Sequence, residues 1–433
     1  MTMLEGWGRY PRVEGRVLLP ATPAAASKLL GSELIPRGRA RSYGDSAIAP
    51  LVLQTDQWRH FLGFDESSGL LQCQAGVTLG DILSVFVSRG WFLPVTPGTQ
   101  FVSVGGAIAS DVHGKNHHLD GCFSRYVEHL DLLLADGGVV RCSRTERPEL
   151  FRATCGGMGL TGVVVSAALR LRCVDSAWVE QTTYKAANLR EVLTLFEEHH
   201  ASTYSVAWID CLEGGRSLGR SLLMVGEHAH DGDLVAARKP VLSVPVDLPG
   251  AVLNPYTMQL FNALYYGRVR ESQSHQRVSY QSFFYPLDSL HNWNRIYGRQ
   301  GFVQYQFVIP REAGLTGMTE ILQRIAASRK GSFLAVLKAF GPGNDNLLSF
   351  PVEGYTLALD FKLEHGLFDL LDELDHLVLG YGGRLYLAKD ARMSEATFKA
   401  SYPEWERFQS IRHSVGALGA FASHQSYRLG LDR

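Results

Sequence analysis

Hydrophobic and polar positions follow two rhythms along this chain, changing near Ser176. Before it, short β-like runs such as LVLQT (51–55) and LLQCQAGV (70–77) are separated by Asp, Ser and Gly, the punctuation of strands and turns. Single helical segments stand between them. Residues 22–30 predict a helix with Thr22 as N-cap and Pro23 at its first position, where a missing N–H loses no bond. In TLGDILSVFVSRG (78–90), Leu79, Ile82, Leu83 and Phe86 recur at helical spacing and Gly90 closes the helix. VEHLDLLLADGGVVRCS (127–143) predicts two strands around an Asp136-Gly137 turn, followed by a helix over 144–155 and a strand over 163–172. Paired strands alternating with single helices predict a two-layer α+β domain.

From Ser176 to about Gly382 the runs become longer and rich in aromatics. SVAWID (205–210), SYQSFFYPL (279–287), FVQYQFVIP (302–310), SFLAVLKAF (332–340) and YTLALDFKL (355–363) read as strands. Helices are expected at 188–200, 312–328 and 367–379. An antiparallel sheet carrying helices on one face produces this order. RLYLAKDAR (384–392) then leads into a helical tail. The stretch 247–270, DLPGAVLNPYTMQLFNALYYGRVR, combines many apolar residues and three tyrosines with a basic end, and reads equally as a lid, a membrane-surface contact or a core-packed helix.

Composition narrows the class. The 433 residues allow two or three domains, and 42 basic against 43 acidic residues leave no basic stripe for nucleic acid. Six cysteines (Cys73, Cys122, Cys142, Cys155, Cys173, Cys211) show no CxxC pair and read as free, buried thiols of a reducing compartment. The N-terminus has no apolar core of a signal peptide, and no 18-residue apolar run occurs, so a cytoplasmic or peripheral inner-membrane location is expected.

Candidate chemistry lies in the glycines. Residues 91–121, WFLPVTPGTQFVSVGGAIASDVHGKNHHLDG, carry seven Gly and Pro among 31 positions, a backbone bare enough to bring successive amides close to a diphosphate. Two further Gly-rich turns, 36–46 and 150–172, flank β-like runs in the same N-terminal segment. Together they suggest one extended ligand touched at several points, with the length of a dinucleotide such as FAD. Gly157-x-Gly159-x-x-Gly162 matches the nicotinamide fingerprint, but that motif follows a strand and opens a helix, whereas here the order is reversed. His113, His117 and His118 lie within six residues, yet lack the Cys or carboxylate partners of a zinc site, and no metal is expected.

GRARSYGDS (38–46), PGTQFVSVGGAIASDVHGKNHH (97–118), DLLLADG (131–137) and GGMGLTG (156–162) resemble the FAD-dependent oxidases of the vanillyl-alcohol-oxidase type. The resemblance continues in NWNRIYGRQGFVQYQFVIP (292–310), LKAFGPGN (337–344), LSFPVEGYTLALDF (348–361) and GGRLYLAKDAR (382–392), and so covers 6–429. It implies a two-domain α+β flavoprotein with an FAD-binding domain (1–176), a substrate domain built on an antiparallel sheet with helices (177–382) and a C-terminal return to the first domain (383–433).

By the same resemblance, FAD would be lined from the first turn by Arg37, Gly38, Arg39, Arg41, Ser42, Tyr43, Gly44 and Asp45. The central stretch would add Pro97, Gly98, Thr99, Val104, Gly105, Gly106, Ala107, Ser110, His113, Gly114, Asn116, His117, Gly121 and Cys122. Gly157, Gly162, Val163, Val164, Tyr386, Ala388 and Lys389 would complete the site. Some relatives attach the flavin through a His in a GxGHS-like turn. The comparable position here is Arg41, with no His between 37 and 46, so dissociable FAD is expected, attachment through His113 remaining open.

Lys389 directly follows what reads as an apolar strand, RLYLA, where desolvation lowers an amine's pKa and suits it to take a hydroxyl proton or bind an alkoxide. Asp360 is a carboxylate in an otherwise apolar strand; for both, a solvent-facing edge strand is the plainer alternative. The resemblance places both residues, with Tyr43, at the reacting centre, although Tyr43 also suits a turn aromatic. It places Lys338, Gln304, Gln306 and Ala358 beside the substrate. Gln304 and Gln306 alternate along QYQF and share a face, with Tyr305 opposite. Some members carry a cysteine where this chain has Ala358, so thiol chemistry is lost there while flavin chemistry persists.

The activity implied is oxidation of the C2′ hydroxyl of a polyprenylphosphoryl β-D-ribofuranose to the 2′-keto sugar. That is the first half of epimerisation to a D-arabinose donor for cell-envelope glycans, with an NAD(P)H-dependent reductase as partner and quinone or oxygen as electron acceptor. A water-soluble aldonolactone or alditol oxidase and a non-catalytic binding protein of the same fold remain the competing readings.

Overall fold

The computed structural model describes residues 1–235 and 242–432; residues 236–241, within the expected substrate domain, and residue 433 lie outside that description. A four-stranded mixed sheet opens the chain, in spatial order Thr2–Glu5, Arg12–Leu18, Leu51–Gln54, Ile35–Arg37. Parallel pairing of Ile35–Arg37 with Leu51–Gln54 leaves the first Gly-rich turn emerging from a strand end. A five-stranded antiparallel sheet follows, Phe61–Asp65, Leu70–Gln74, Val163–Arg170, Val127–Leu133, Val139–Ser143. The Asp136-Gly137 hairpin forms as expected, Gly137 adopting φ +86°.

The helix Leu79–Phe86 buries Leu79, Ile82, Leu83 and Phe86, and ends at left-handed Gly90 after a short 3₁₀ turn. Thr78 and Asp81 cap it reciprocally. Two other helices are shorter than expected. Pro148–Thr154 starts late because Arg147 is left-handed and Pro148 takes the first turn, and Pro23–Ser27 ends at Lys28.

The second half is built on an eight-stranded antiparallel sheet. Its order is Gln273–Ser279, Trp178–Ala186, Ser221–His228, Tyr204–Ile209, Ala335–Phe340, Gly354–Lys362, Phe302–Pro310, Arg384–Leu385. The helices Leu189–Glu198, Gly314–Ser328 and Leu367–Gly380 cover one face, and their Leu, Ile and Phe side chains form a continuous core with it. The other face is turned to the first half of the chain. Alternation sorts Phe302–Pro310 between them: Tyr305 donates its hydroxyl to Asp375 of the helix layer at 3.0 Å, while Gln304 and Gln306 face the other way.

Two sequence expectations fail here. SYQSFFYPL is not a strand: Ser279 caps a short helix, Tyr280–Phe284, which buries Phe283 and Phe284, and Pro286 opens a 3₁₀ turn. The strand actually used, Gln273–Ser279, is an exposed polar edge without apolar alternation. RLYL is also not a long strand, since only Arg384–Leu385 pairs and 386–389 form a turn closed by Lys389 N–H to the Tyr386 carbonyl at 3.0 Å. All six cysteines are free, but Cys173 is exposed rather than buried. Among the described residues no helix is long and apolar enough to cross a membrane.

Candidate active site

Between the bare face of the large sheet and the Gly-rich turns lies a cavity of about 1040 Å³, above the roughly 300–1,000 Å³ common for small-molecule pockets. All three Gly-rich turns reach it: Arg37–Tyr43 by the first, Thr96–Ser110 in part by the second, and Met158–Val164 in part by the third. That is the multipoint contact a long ligand requires.

The first turn carries the free amides. Among the described residues, the N–H groups of Gly38, Arg39, Ala40, Arg41 and Ser42 donate to no protein acceptor, and Ala40 takes a left-handed φ of 53°. Consecutive unpaired amides around a left-handed residue form an anion-binding concavity. The central stretch is different. The amides of Val104 and Gly105 donate to the carbonyls of Val77 and Ala75, and that of Gly106 to the Ser103 hydroxyl. Its glycines provide closeness instead: a Cβ on Gly105 would stand 3.0 Å from Ala75 Cβ. Amides free to meet an anionic ligand are thus offered by 38–42 and, within 91–121, by Gly98 and Thr99 rather than by 104–106. Buried Arg37 Nη1, Arg41 Nε and His113 Nδ1 point at no partner, leaving donors for an anionic ligand.

The other expected residues divide cleanly. Arg37, Gly38, Arg39, Arg41, Ser42, Tyr43, Pro97, Gly98, Thr99, Gly105, Gly106, Ser110, His113, Gly162, Val163, Val164, Tyr386, Ala388 and Lys389 line the cavity. Gly44, Asp45, Val104, Ala107, Gly114, Asn116, His117, Gly121, Cys122 and Gly157 stand behind it. Asp45 accepts from Arg428, which also donates to Asp390, so this ion triad ties the first turn to the turn bearing Lys389. Gly44 is needed because a Cβ would meet the Asp390 carbonyl at 1.9 Å. Asn116 braces the central loop through the Pro94 carbonyl and Asp120. His118 turns away to the Ser202 carbonyl.

The sheet supplies the opposite wall through three adjacent strands. Register puts Gln304 opposite Asp360, Gln306 opposite Ala358, and Lys338 opposite Thr356. Every second residue of each strand points the same way, so one face gathers all six. Asp360 is on a central strand and only 1% exposed, which removes the edge-strand alternative. It accepts from Gln304 Nε2 at 2.5 Å, and its second oxygen, Oδ2, has no partner. Lys389 Nζ lies 3.9 Å from the centroid of the Tyr43 ring. Gln306 Nε2 lies 3.1 Å from His113 Nε2 and 3.3 Å from Thr356 Oγ1.

Burial sets the electrostatics. Loss of water lowers the Lys389 amine to about 7, nearby Asp360 opposing and Lys338 assisting the shift. The same loss raises Asp360 to about 7, against its bond to Gln304 and the charge of Lys389. Burial thus disfavours the charged form of both groups, the direction that suits a residue to exchange a proton. Burial brings Lys338 to about 8 and, with Lys338 adding to it, Lys115 to about 7. His113 is held neutral, first by burial and then by Lys338.

Lys115, Thr356 and Asp288 escaped sequence reasoning. Lys115 donates to the Phe283 carbonyl and has its amine in the cavity wall. A lone lysine between three histidines drew no attention, although its apolar partners were visible as SFF. Asp288 receives the Gln100 amide at 2.8 Å and faces Arg41, a pairing between segments 188 residues apart that no local pattern reveals.

Residues 24–143 match the FAD binding domain family. Over 99% of its length the chain is 35% identical to the decaprenylphosphoryl-β-D-ribose oxidase of Mycolicibacterium smegmatis, covering 97% of that protein. It is 32% identical to an uncharacterized protein of Streptomyces coelicolor, over 82% of this chain and all of the relative. With the L-gulonolactone oxidase of Bos taurus it shares 24% identity over 86% of this chain and 83% of the relative. The unpaired amides of 38–42, the orphaned Arg37 and Arg41 nitrogens and the volume of the cavity fit an FAD molecule.

Proposed function

The chain belongs to the FAD-dependent oxidoreductases of the vanillyl-alcohol-oxidase type, and from that premise we propose that it oxidises the C2′ hydroxyl of a polyprenylphosphoryl β-D-ribofuranose to the 2′-keto sugar. FAD, when bound, supplies the acceptor for the hydride that leaves the sugar carbon. The remaining work falls to the chain. Arg37, Arg41 and the 38–42 amides would hold the diphosphate, and residues 1–176 with 383–433 would form the cofactor half against the substrate half at 177–382.

Lys389 takes the hydroxyl proton, because an amine brought to about 7 is substantially unprotonated at neutral pH. Asp360 steadies the resulting ammonium, and Gln304 fixes the carboxylate by its 2.5 Å bond. Tyr43 packs under the amine and limits where it can reach. On the same wall Lys338, with Lys115 near it, offers cationic amines to the substrate's phosphate. Gln306, oriented by His113 and Thr356, is positioned for the sugar hydroxyls.

What carries this reading is the coincidence of near-full-length similarity to a ribose-lipid oxidase with a single wall holding both an acid–base amine and separate phosphate-binding amines. The product would pass to an NAD(P)H-dependent reductase, and FAD would be reoxidised by a quinone or oxygen.

The decisive measurement is an anaerobic visible spectrum before and after adding a polyprenylphosphoryl ribose. Bleaching of the flavin band is expected. An unchanged spectrum, with bleaching instead by a phosphate-free lactone or polyol, would replace this reading with that of a water-soluble polyol oxidase. Dissociable FAD also has a direct readout: denaturation and filtration should release all flavin, and flavin retained by the polypeptide would point to a covalent link.

A further inference from the structure

The stretch 247–270 forms the helix Pro255–Gly267, and its exposure pattern is inverted. Asn254 and Thr257 cap it reciprocally, and Asn262 is fully buried, donating to Asp210 at 2.7 Å. Tyr265 packs on Trp208 with ring centroids 4.8 Å apart. These contacts fix the inner face firmly to the sheet. The outer face should then be polar. Instead Tyr256, Leu260 and Leu264, spaced i, i+4, i+8, are 78%, 62% and 67% exposed, and the 13 residues contain no charge. Phe261 and Val252 extend the apolar surface.

Three further features say what covers it. Phe261, Tyr265 and Arg268 are part of the cavity wall, so the helix separates the site from the bare surface. Leu290 and His291 also line the cavity, and the segment that pairs with them exposes Leu242 and, just after it, Val246. Beyond the helix's C-terminal end stand Arg268 and Arg270, which among the described residues have no carboxylate partner; Arg268 lies 3.8 Å over the Tyr265 ring. Exposed apolar side chains on two segments next to cavity-lining residues, with guanidinium groups that have no carboxylate partner at the helix end, match an anionic lipid surface: tails below, phosphates above.

We propose that Pro255–Gly267 with Arg270 is a membrane-docking face that seats the cavity mouth on an anionic bilayer. The proposal rests on the reading of the substrate as lipid-linked. Docking at this face lets the sugar phosphate enter the cavity while its prenyl tail stays in the membrane.

The test uses the FAD-loaded full chain, sedimented without substrate with vesicles of phosphatidylcholine alone or mixed with phosphatidylglycerol. Wild type should sediment with the mixed vesicles. L260E/L264E should bind them at least tenfold more weakly while keeping its flavin spectrum, its melting temperature and its turnover of a short-tailed, water-soluble substrate. R270A should lose preference for the anionic mixture. Wild type that stays in the supernatant with both vesicle types, as a face for a protein partner would leave it, overturns the proposal. So does a double variant that binds like wild type. Vesicle binding that behaves as expected beside a flavin unreduced by any ribose lipid would instead keep the docking face and remove the substrate reading.

Discussion

Lys389 and Asp360 illustrate how one residue's chemistry is set by neighbours far away in sequence. Lys389→Ala should lower turnover by about 10²–10⁴, the usual worth of a positioned acid–base group, with FAD still bound. Normal turnover would end its assigned role. Flavin reduction should rise with pH through about 7 as Lys389 loses its proton. In Asp360→Asn the carboxylate that raises the Lys389 pKa is gone, so this limb should move to lower pH. A limb that vanishes instead would belong to Asp360. Alternation along QYQF was enough to put Gln304 and Gln306 on one face. Their partners Asp360 and His113 were chosen only by the pairing of strands and loops.

At the scale of elements, close approach of two turns governs the site. Gly44 and the Asp390 carbonyl leave no room for a methyl group, so Gly44→Ala should destabilise the protein by roughly 1–3 kcal/mol, the cost of overpacking, and weaken FAD retention. Thermal melting and flavin content read both effects. Elements with a strong period were legible: Leu79–Phe86 from its apolar stripe and reciprocal cap, Phe302–Pro310 from its length and aromatics. The errors were local. SYQSFFYPL has strand-like composition, but Ser279 caps a helix whose aromatics are buried by neighbours, while the polar edge Gln273–Ser279 is a strand only because Trp178–Tyr184 pairs with it.

Across the whole molecule the C-terminal segment packs back on the first half of the chain. Arg412 is fully buried, donating to the carbonyls of Leu160, Phe421 and Leu431 and to Asp432 at 2.8 Å. Asp432→Ala leaves that guanidinium uncompensated, and a loss of about 3–5 kcal/mol is expected in denaturant unfolding. Lys338 predicts the reverse effect. Its folded pKa, brought down to about 8, penalises the charged amine below that pH, and the penalty fades as pH rises through 8 towards the unfolded value of 10.5. Lys338→Met should therefore raise the melting temperature at pH 7 by a few degrees, roughly 1 kcal/mol, with a smaller gain at pH 9.5, while weakening substrate binding.

The sequence alone determined the α+β class, the three Gly-rich turns that reach one cavity and a part of the residues that line it. Each of those rests on local signals: period, turn chemistry, and motifs read in order. Tertiary structure decided which amides stay free, since only folding shows that Val77, Ala75 and Ser103 occupy those of 104–106 while those of 38–42 stay unpaired. It also decided that the apolar helix Pro255–Gly267 lies on the surface, and that Lys389 stands near buried Asp360. Burial and strand register join residues hundreds of positions apart, and desolvation, which sets their pKa values, has no counterpart in an unfolded chain.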